Sequence, residues 1–545
     1  MFLLKKVVEP GNYIHFGLEN NLKMLINNYS FNDIYELNLL VNVDGLPLFK
    51  SSSGQVIPIL VTIINIPHLK KIVLPVGLYY GLEKPSDMNI FLDSFISEIV
   101  ELSQHGITNS NGILFSIKIV GFVCDAPAKK DLLGIKGHGG YFSCTKCTVR
   151  GSTVSRKRVF TELNCTARTH EDFINWADSN YRLRDTALVR IPEIHFVNSF
   201  ILDPMHLIYL GVMRTMLTTW YQGNLPYKLS QQLIKKISDF MEIQNLPEEF
   251  IRKPRALKYL LRWKATEFRS FLLYTGPVAT KGVLDRDKYN NFMTLNVAIS
   301  ILLNPNSCGD LDLRNYARQL LMHFIQSFIK IYDESFITHN FHGLIHLVDD
   351  ADYFSSKINE FTLDKISAFP FENYLQKIKS MVRGRNKPLE QIGNRMAELF
   401  CDISSSLPSL RTLNQQFPLL SHIYYNNGAL PLKCVGPQYK KIHFPNFSLK
   451  IESPNNCCGL ECGDIVMVEN ICNSIDLNCT VIIGRKFLIK RNFFEIPCSS
   501  SLIGVYEVEK LSEPELWPIS FICKKYVYFK HKHNIYVVFP LLHTA

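Results

Sequence analysis

Between residues 36 and 123 the spacing of apolar positions changes twice. Residues 36–43 form an apolar, β-branched run that stops at Asp44-Gly45, and 56–66 and 71–80 form two more, so three strands are expected. Residues 87–102 then set Ile90, Phe91, Phe95, Ile96, Ile99 and Val100 at helical spacing, and 113–123 returns to a strand that ends at Cys124-Asp125. From 201 to 348 the pattern is mostly helical, with runs at 207–221, 229–243, 256–274, 289–303 and 313–331. Another amphipathic helix starts after Pro370. Beyond residue 430 short β-rich runs alternate with turn residues, at 464–468, 479–483, 486–489, 504–508, 526–529 and 535–539.

The opening order β-β-β-α-β is that of a ribonuclease-H-like core. In that fold the first and fourth strands are neighbours, so acidic residues at their ends lie side by side. The expected fold class is therefore α/β: such a core, interrupted by a large, mostly helical, zinc-containing insertion and followed by a small β-rich domain. The boundaries expected are 1–34 for an N-terminal remnant, 35–134 for the first part of the core and 135–355 for the zinc knuckle and helical insertion. The last part of the core takes 356–429 and the C-terminal β-rich domain 430–545.

Composition narrows this only a little. A chain of 545 residues has room for several domains and a sizeable core. Fifty-nine Lys and Arg against 49 Asp and Glu leave a net charge of +10, a mild bias toward polyanions that is not by itself a nucleic-acid signature. Met1-Phe2-Leu3-Leu4 runs straight into Lys5-Lys6, so no secretory leader is expected. The longest apolar run, 56–67, is too short to span a bilayer, and no membrane association is expected. In a chain without a leader, close pairs among the 14 cysteines read as metal candidates before disulfides.

Asp44 and Asp125 both end apolar strands. Two carboxylates converging at a sheet edge repel unless cations neutralise them, and a pair of Mg²⁺ or Mn²⁺ ions does so while supplying two-metal chemistry. The plainer alternatives are a turn at Asp44-Gly45 and a helix cap at Asp125-Ala126-Pro127. Glu372, in a first helical turn, is either a dipole-favoured residue or a third carboxylate of the same site. Asp203-Pro204-Met205-His206 is a further constellation, supporting that site, contacting DNA, or capping a helix. Cys144-Thr145-Lys146-Cys147 is a knuckle needing two more ligands for tetrahedral Zn²⁺. His342 and His346, at i and i+4, are candidates for them, with His339 as a competitor; the plainer alternative is ordinary core or surface histidines on a packed helix. Arg252, Lys253, Arg255, Arg262 and Lys264, interleaved with Trp263, and Arg383, Arg385 and Lys387 after Glu372, are candidates for a phosphate backbone, or else solvated helix faces.

Taken together, these stretches resemble DDE transposases of the CACTA (En/Spm) group, especially its animal branch. The resemblance rests on Val43-Asp44-Gly45-Leu46-Pro47, Gly121-Phe122-Val123-Cys124-Asp125-Ala126-Pro127-Ala128, and Lys136-Gly137-His138 through Cys144-Thr145-Lys146-Cys147. It continues at Leu202-Asp203-Pro204-Met205-His206, His342-Gly343-Leu344-Ile345-His346 and Phe369-Pro370-Phe371-Glu372. A more distant likeness is to Transib transposases and the catalytic subunit of the RAG recombinase, which also place a Cys-x-x-Cys after the second Asp and a His pair before the Glu. The resemblance implies DNA transposition. Asp44, Asp125 and Glu372 hold two Mg²⁺ or Mn²⁺ ions, water attacks a phosphodiester at the element end, and the freed 3′-OH attacks target DNA. It also implies one structural Zn²⁺, double-stranded DNA as partner, a homodimer holding both ends, and a nuclear location.

The 35 residues before the first acidic strand carry no zinc finger, helix-turn-helix or basic arm for recognising element ends. A truncated or decayed copy is therefore one expectation. The alternative to an enzyme is a catalytically inactive, transposase-derived DNA-binding or scaffold protein. A ribonuclease-H-like nuclease without strand joining is a third reading.

Overall fold

The protein is described by a computed structural model over residues 5–28, 34–49, 53–66, 69–406, 417–424, 430–431 and 433–543. Its fold is mixed α/β. It divides into two compact units, Met1–Ile208 with Asp333–Asn414, and Tyr209–Tyr332 with Gln415–Ala545. The segment read as one insertion is thus shared: its ends belong to the first unit and its middle to the second. Among the described residues no helix is long and apolar enough to cross a membrane.

The first unit is built on one sheet. Its main strands are β1 (Lys5–Val8), β2 (Gly11–His15), β3 (Glu36–Val43), β4 (Gln55–Ile63), β5 (Leu74–Gly81), β6 (Leu114–Val123) and β7 (Phe200–Ile201), with two-residue strands at Leu46–Pro47 and Ile107–Thr108 pairing β4 and β6. Their order is β1-β2-β5-β4-β3-β6-β7. The pairings are antiparallel as far as β3, and then β6 lies parallel to β3 and β7 parallel to β6. All of β3 after Glu36 is buried, Asn38 and Asn42 included, which explains why it shows no alternation of apolar and exposed polar positions.

Two helices pack on this sheet. Helix α1 (Leu18–Asn28) buries Leu18, Leu22, Leu25 and Ile26, and α2 (Met88–His105) buries Phe91, Leu92, Phe95, Ile96, Ile99 and Leu102. Asp87 caps α2 by accepting the Asn89 N–H, and Gly106, at φ +68°, ends it. Residues 5–28, set apart from the core on sequence, supply two strands of the sheet and α1. Their strands, four and five residues long and opened by Lys5-Lys6, are too short to show a period.

Beyond β6, Asp125 caps helix α3 (Ala126–Leu133), with Pro127 in its first turn. Gly121 lets β7 close on β6, because a Cβ there would sit 2.8 Å from Ile201 Cδ1. Helices α4 (Leu347–Ser355), α5 (Phe369–Ser380) and α6 (Pro388–Ser406) complete the unit.

The second unit combines helices, among them Gln231–Glu242, Arg286–Leu303 and Leu311–Ile331, with an eight-stranded sheet drawn from residues 434–540. The expected helix at 256–274 is broken. A 3₁₀ turn (Leu257–Arg262) is followed by extended backbone at Trp263, then α-helix (Ala265–Ser270) and a π turn (Phe271–Thr275). The buried Trp263 ring packs on Phe268 and Phe271, so the chain leaves the helix to deliver it.

A polar anchor lies inside this second unit. Lys525 Nζ, fully buried, donates to Glu249 Oε2 at 2.7 Å and Oε1 at 3.0 Å, to Ser448 O at 2.7 Å and to Asn455 Oδ1 at 2.9 Å. Burial pushes the ammonium pKa down, and Glu249 opposes this. Lys525→Met leaves the Glu249 carboxylate buried without its partner. It is expected to cost about 3–5 kcal/mol in urea denaturation, with most of the loss recovered in Lys525→Met/Glu249→Gln.

Candidate metal and catalytic centres

The parallel pairing of β3 and β6 sets the first centre. Its register joins Leu40 to Gly121 and Val41 to Phe122, so both strands end at the same edge. Asn42 Nδ2 ties the two ends together by donating to Val123 O at 2.7 Å. Asp44 follows β3 and Asp125 follows β6. Helix α5 brings Glu372 to the same place from far along the chain. Carboxylate or imidazole atoms of Asp44, His206 and Glu372 lie within 4.8 Å of one another. Asp125 is outside that group, and its Oδ1 accepts the Ala128 N–H at 2.7 Å. Its charge is nevertheless felt by both Asp44 and Glu372.

His206 stands among the acids because Asp203 puts it there. Asp203 follows β7 by two residues and is fully buried. Its Oδ1 accepts N–H groups from Met205 at 3.1 Å and Ala368 at 2.9 Å. Its Oδ2 accepts the His206 N–H at 3.1 Å and lies 2.6 Å from His206 Nδ1. Nε2 of the ring then faces Glu372 Oε1 at 3.9 Å. Burial lowers the imidazole pKa, but the hydrogen bond and charge of Asp203, with Asp44 and Glu372, carry it up to about 9.

The acids shift upward too, which for a carboxylate disfavours the charged form. Burial, then Asp125 and Glu372, pushes Asp44 up to about 7, against His206 and the Gly45 N–H. Burial likewise raises Glu372, against His206. Carboxylates that resist ionising together are a donor set suited to a hard divalent cation such as Mg²⁺ or Mn²⁺. His206 is placed both to offset the charge of these acids and to offer a ring nitrogen beside them.

The second centre joins the knuckle to the His pair. Ligand atoms of Cys144, Cys147, His342 and His346 lie within 4.8 Å of one another, and all four residues are buried. The knuckle turns as the Lys146 N–H reaches back to Cys144 Sγ at 3.4 Å. It is braced by the Arg168 N–H donating to Lys146 O at 2.9 Å and Arg168 Nε donating to Cys144 O at 3.0 Å. Cys147 Sγ is 3.2 Å from His342 Nε2. His346 Nδ1 lies 2.9 Å from Asp349 Oδ2, which leaves Nε2 buried with no hydrogen-bond partner. Burial raises the Cys144 thiol pKa, but the nearby Cys147, His342 and His346 bring it well below its ordinary value. Two buried cysteine sulfurs, two imidazoles and an orphaned buried ring nitrogen fit a tetrahedral Zn²⁺. His339 is turned away, its Nε2 on Ser143 O at 3.2 Å.

The candidate phosphate-binding residues divide between the units. In the second unit Arg252, Lys253, Arg262 and Lys264 are exposed. Arg255 is not free, since Nε and Nη2 grip the Glu267 carboxylate at 2.6 and 2.7 Å and Nη2 also donates to Arg262 O at 2.9 Å. In the first unit Arg383, Arg385 and Lys387 are exposed on the turn after α5, a turn wound around the Gln391 amide. Sequence reasoning passed over Lys146, Asp349 and Asp350. Their only signal was position, between the two cysteines and three and four residues after the second histidine.

A family model described as a domain of unknown function (DUF8592) matches residues 424–541. No curated protein matches the chain. A solved structure described as the "Drosophila P element transposase strand transfer complex" is 14% identical, covering 70% of this chain and 80% of that one with a TM-score of 0.37. A likeness of that degree does not define the fold.

The arrangement at the second centre predicts one Zn²⁺ per purified chain by elemental analysis. Cys144→Ser and His346→Ala are each expected to abolish retention, and His339→Ala to leave it intact.

Proposed function

We propose that the protein is a transposase-like enzyme that cleaves and joins DNA strands, of the CACTA type that its motifs resemble. The observation that carries this reading is the meeting of Asp44 and Glu372, distant in sequence, at the edge where Asp125 also ends its strand. The strand order β5-β4-β3-β6-β7, antiparallel to β3 and parallel beyond it, is read as a ribonuclease-H-like core.

In this reading Asp44, Asp125 and Glu372 hold divalent cations. When bound, these supply charge stabilisation at the phosphate and activation of the attacking oxygen. The protein's own part is positional. β3 and β6 fix two carboxylates, α5 fixes the third, and Asp203 aims His206 at Glu372 to moderate their mutual repulsion. Catalysis then rests on preorganised charge without a covalent enzyme intermediate. Cys144, Cys147, His342 and His346 would hold one Zn²⁺, a closed structural site that joins the knuckle to the segment before α4. Arg252, Lys253, Arg262, Lys264, Arg383, Arg385 and Lys387 offer cations to the DNA backbone. Work on two DNA ends further implies a homodimer, and a chromosomal substrate implies the nucleus.

The test is a strand-cleavage and strand-transfer assay with Mn²⁺ and duplex DNA carrying the repeats that flank the coding region. Joined products are expected from the wild-type protein. Asp44→Asn, Asp125→Asn and Glu372→Gln should each lower their rate on the order of 10³-fold. Products persisting undiminished in Asp125→Asn would overturn the assignment.

A further inference from the structure

The two centres are linked through the protein interior. Lys146, between the two cysteines, directs Nζ to Asp350 Oδ1 and donates to Val197 O at 2.9 Å. The two side chains are 2% and 1% exposed. Asp350 lies on α4, four residues after His346, and its Oδ2 accepts the Leu202 N–H at 2.8 Å. The next residue is Asp203, which holds the Ala368 N–H at the start of α5 and aims His206 at Glu372. A path of buried polar contacts thus runs from the Cys/His centre to Asp203, and from there the half-buried His206 faces the third carboxylate at 3.9 Å.

A buried ion pair is a poor device for stability alone. Desolvating both charges offsets most of their attraction, and apolar residues of similar volume often serve as well. Here, however, each partner is also spent on a backbone group near β7, Val197 O for Lys146 and the Leu202 N–H for Asp350. Those bonds fix where the chain stands as it leaves β7, and so where Asp203 stands. Asp203 in turn has two clients, α5 and His206, on opposite sides of Glu372's placement.

We infer that Lys146 and Asp350 are positioning residues, through which order at the Cys/His centre sets the geometry of the carboxylate site and its affinity for a divalent cation. The inference rests on the reading of Asp44, Asp125 and Glu372 as cation ligands. Residues that orient metal ligands from outside typically change affinity 10–100-fold when lost.

The decisive variant is Lys146→Met/Asp350→Asn. It removes both charges together, and the new amide oxygen still accepts the Leu202 N–H. Bound zinc is measured by elemental analysis and Mn²⁺ affinity by electron paramagnetic resonance of the free ion. We expect full zinc with Mn²⁺ binding about tenfold weaker or more. Full zinc with wild-type Mn²⁺ affinity overturns the inference. Asp44→Asn separates the premise from the inference: if wild-type protein shows no Mn²⁺ binding that Asp44→Asn removes, the cation-site reading itself falls.

Amide hydrogen exchange on the wild-type protein, with zinc present and stripped, tests the coupling without relying on Mn²⁺ or on the variant folding. Loss of protection at 202–206 and 368–373, with β3 and β4 still protected, supports the path. Unchanged protection there refutes it.

Discussion

The parallel pairing of β3 with β6 is the constraint on which the carboxylate site depends. Two strands that end in acid could lie anywhere in a sheet. Only adjacency with common direction and matched register brings both ends to one edge. The antiparallel hairpins on the far side of β3 do not supply this, because their strand ends alternate between edges. The parallel pair is formed across the connection that includes α2, and the apolar face of α2 covers the sheet there. Asn42, donating to Val123 O across the pair, closes the last step before the acids.

Crowding carboxylates creates a cost that the surrounding structure has to meet. The upward displacement of Asp44 and Glu372 is that cost expressed in protonation. His206 offsets part of it, and it does so only because a buried Asp203 holds its ring. The same Asp203 accepts the Ala368 N–H at the start of the helix carrying Glu372. One buried carboxylate thus serves both the charge balance and the placement of the third acid. It is stable as an anion because four N–H groups face its two oxygens.

Buried charge recurs in each unit with the same logic. Lys146 with Asp350 in the first, and Lys525 with Glu249 in the second, are ion pairs whose remaining hydrogen-bonding capacity goes to backbone or amide groups. Such arrangements demand one geometry, since any slip leaves a charge uncompensated in a medium of low polarity. The basic residues follow the opposite rule. Arg252 and Lys253 stay in solvent, whereas Arg255, three residues on, is committed to Glu267 and serves the local fold.

Much of the first unit is legible in the chain itself, because period and burial are local. A short, mostly apolar run such as 36–43 that stops at Asp44-Gly45 reads as a strand, and 87–102 shows its helical face directly. Residue chemistry is legible too: Cys144-Thr145-Lys146-Cys147 is a knuckle, and Asp44 and Asp125 end strands. The structure alone decided what depends on distance in sequence. It brought His342 and His346, and not His339, whose Nε2 sits on Ser143 O, within ligand distance of the two cysteines. It brought His206, not Asp125, into the tight group with Asp44 and Glu372, through an Asp203 whose partners lie at 205, 206 and 368. It built β1 and β2 onto the sheet although neither is long enough to announce a period. It also broke the helix expected at 256–274 to bury Trp263. Local pattern specifies elements because each residue's exposure repeats along its own element. Which residues meet is set by packing between elements, which no single stretch of sequence contains.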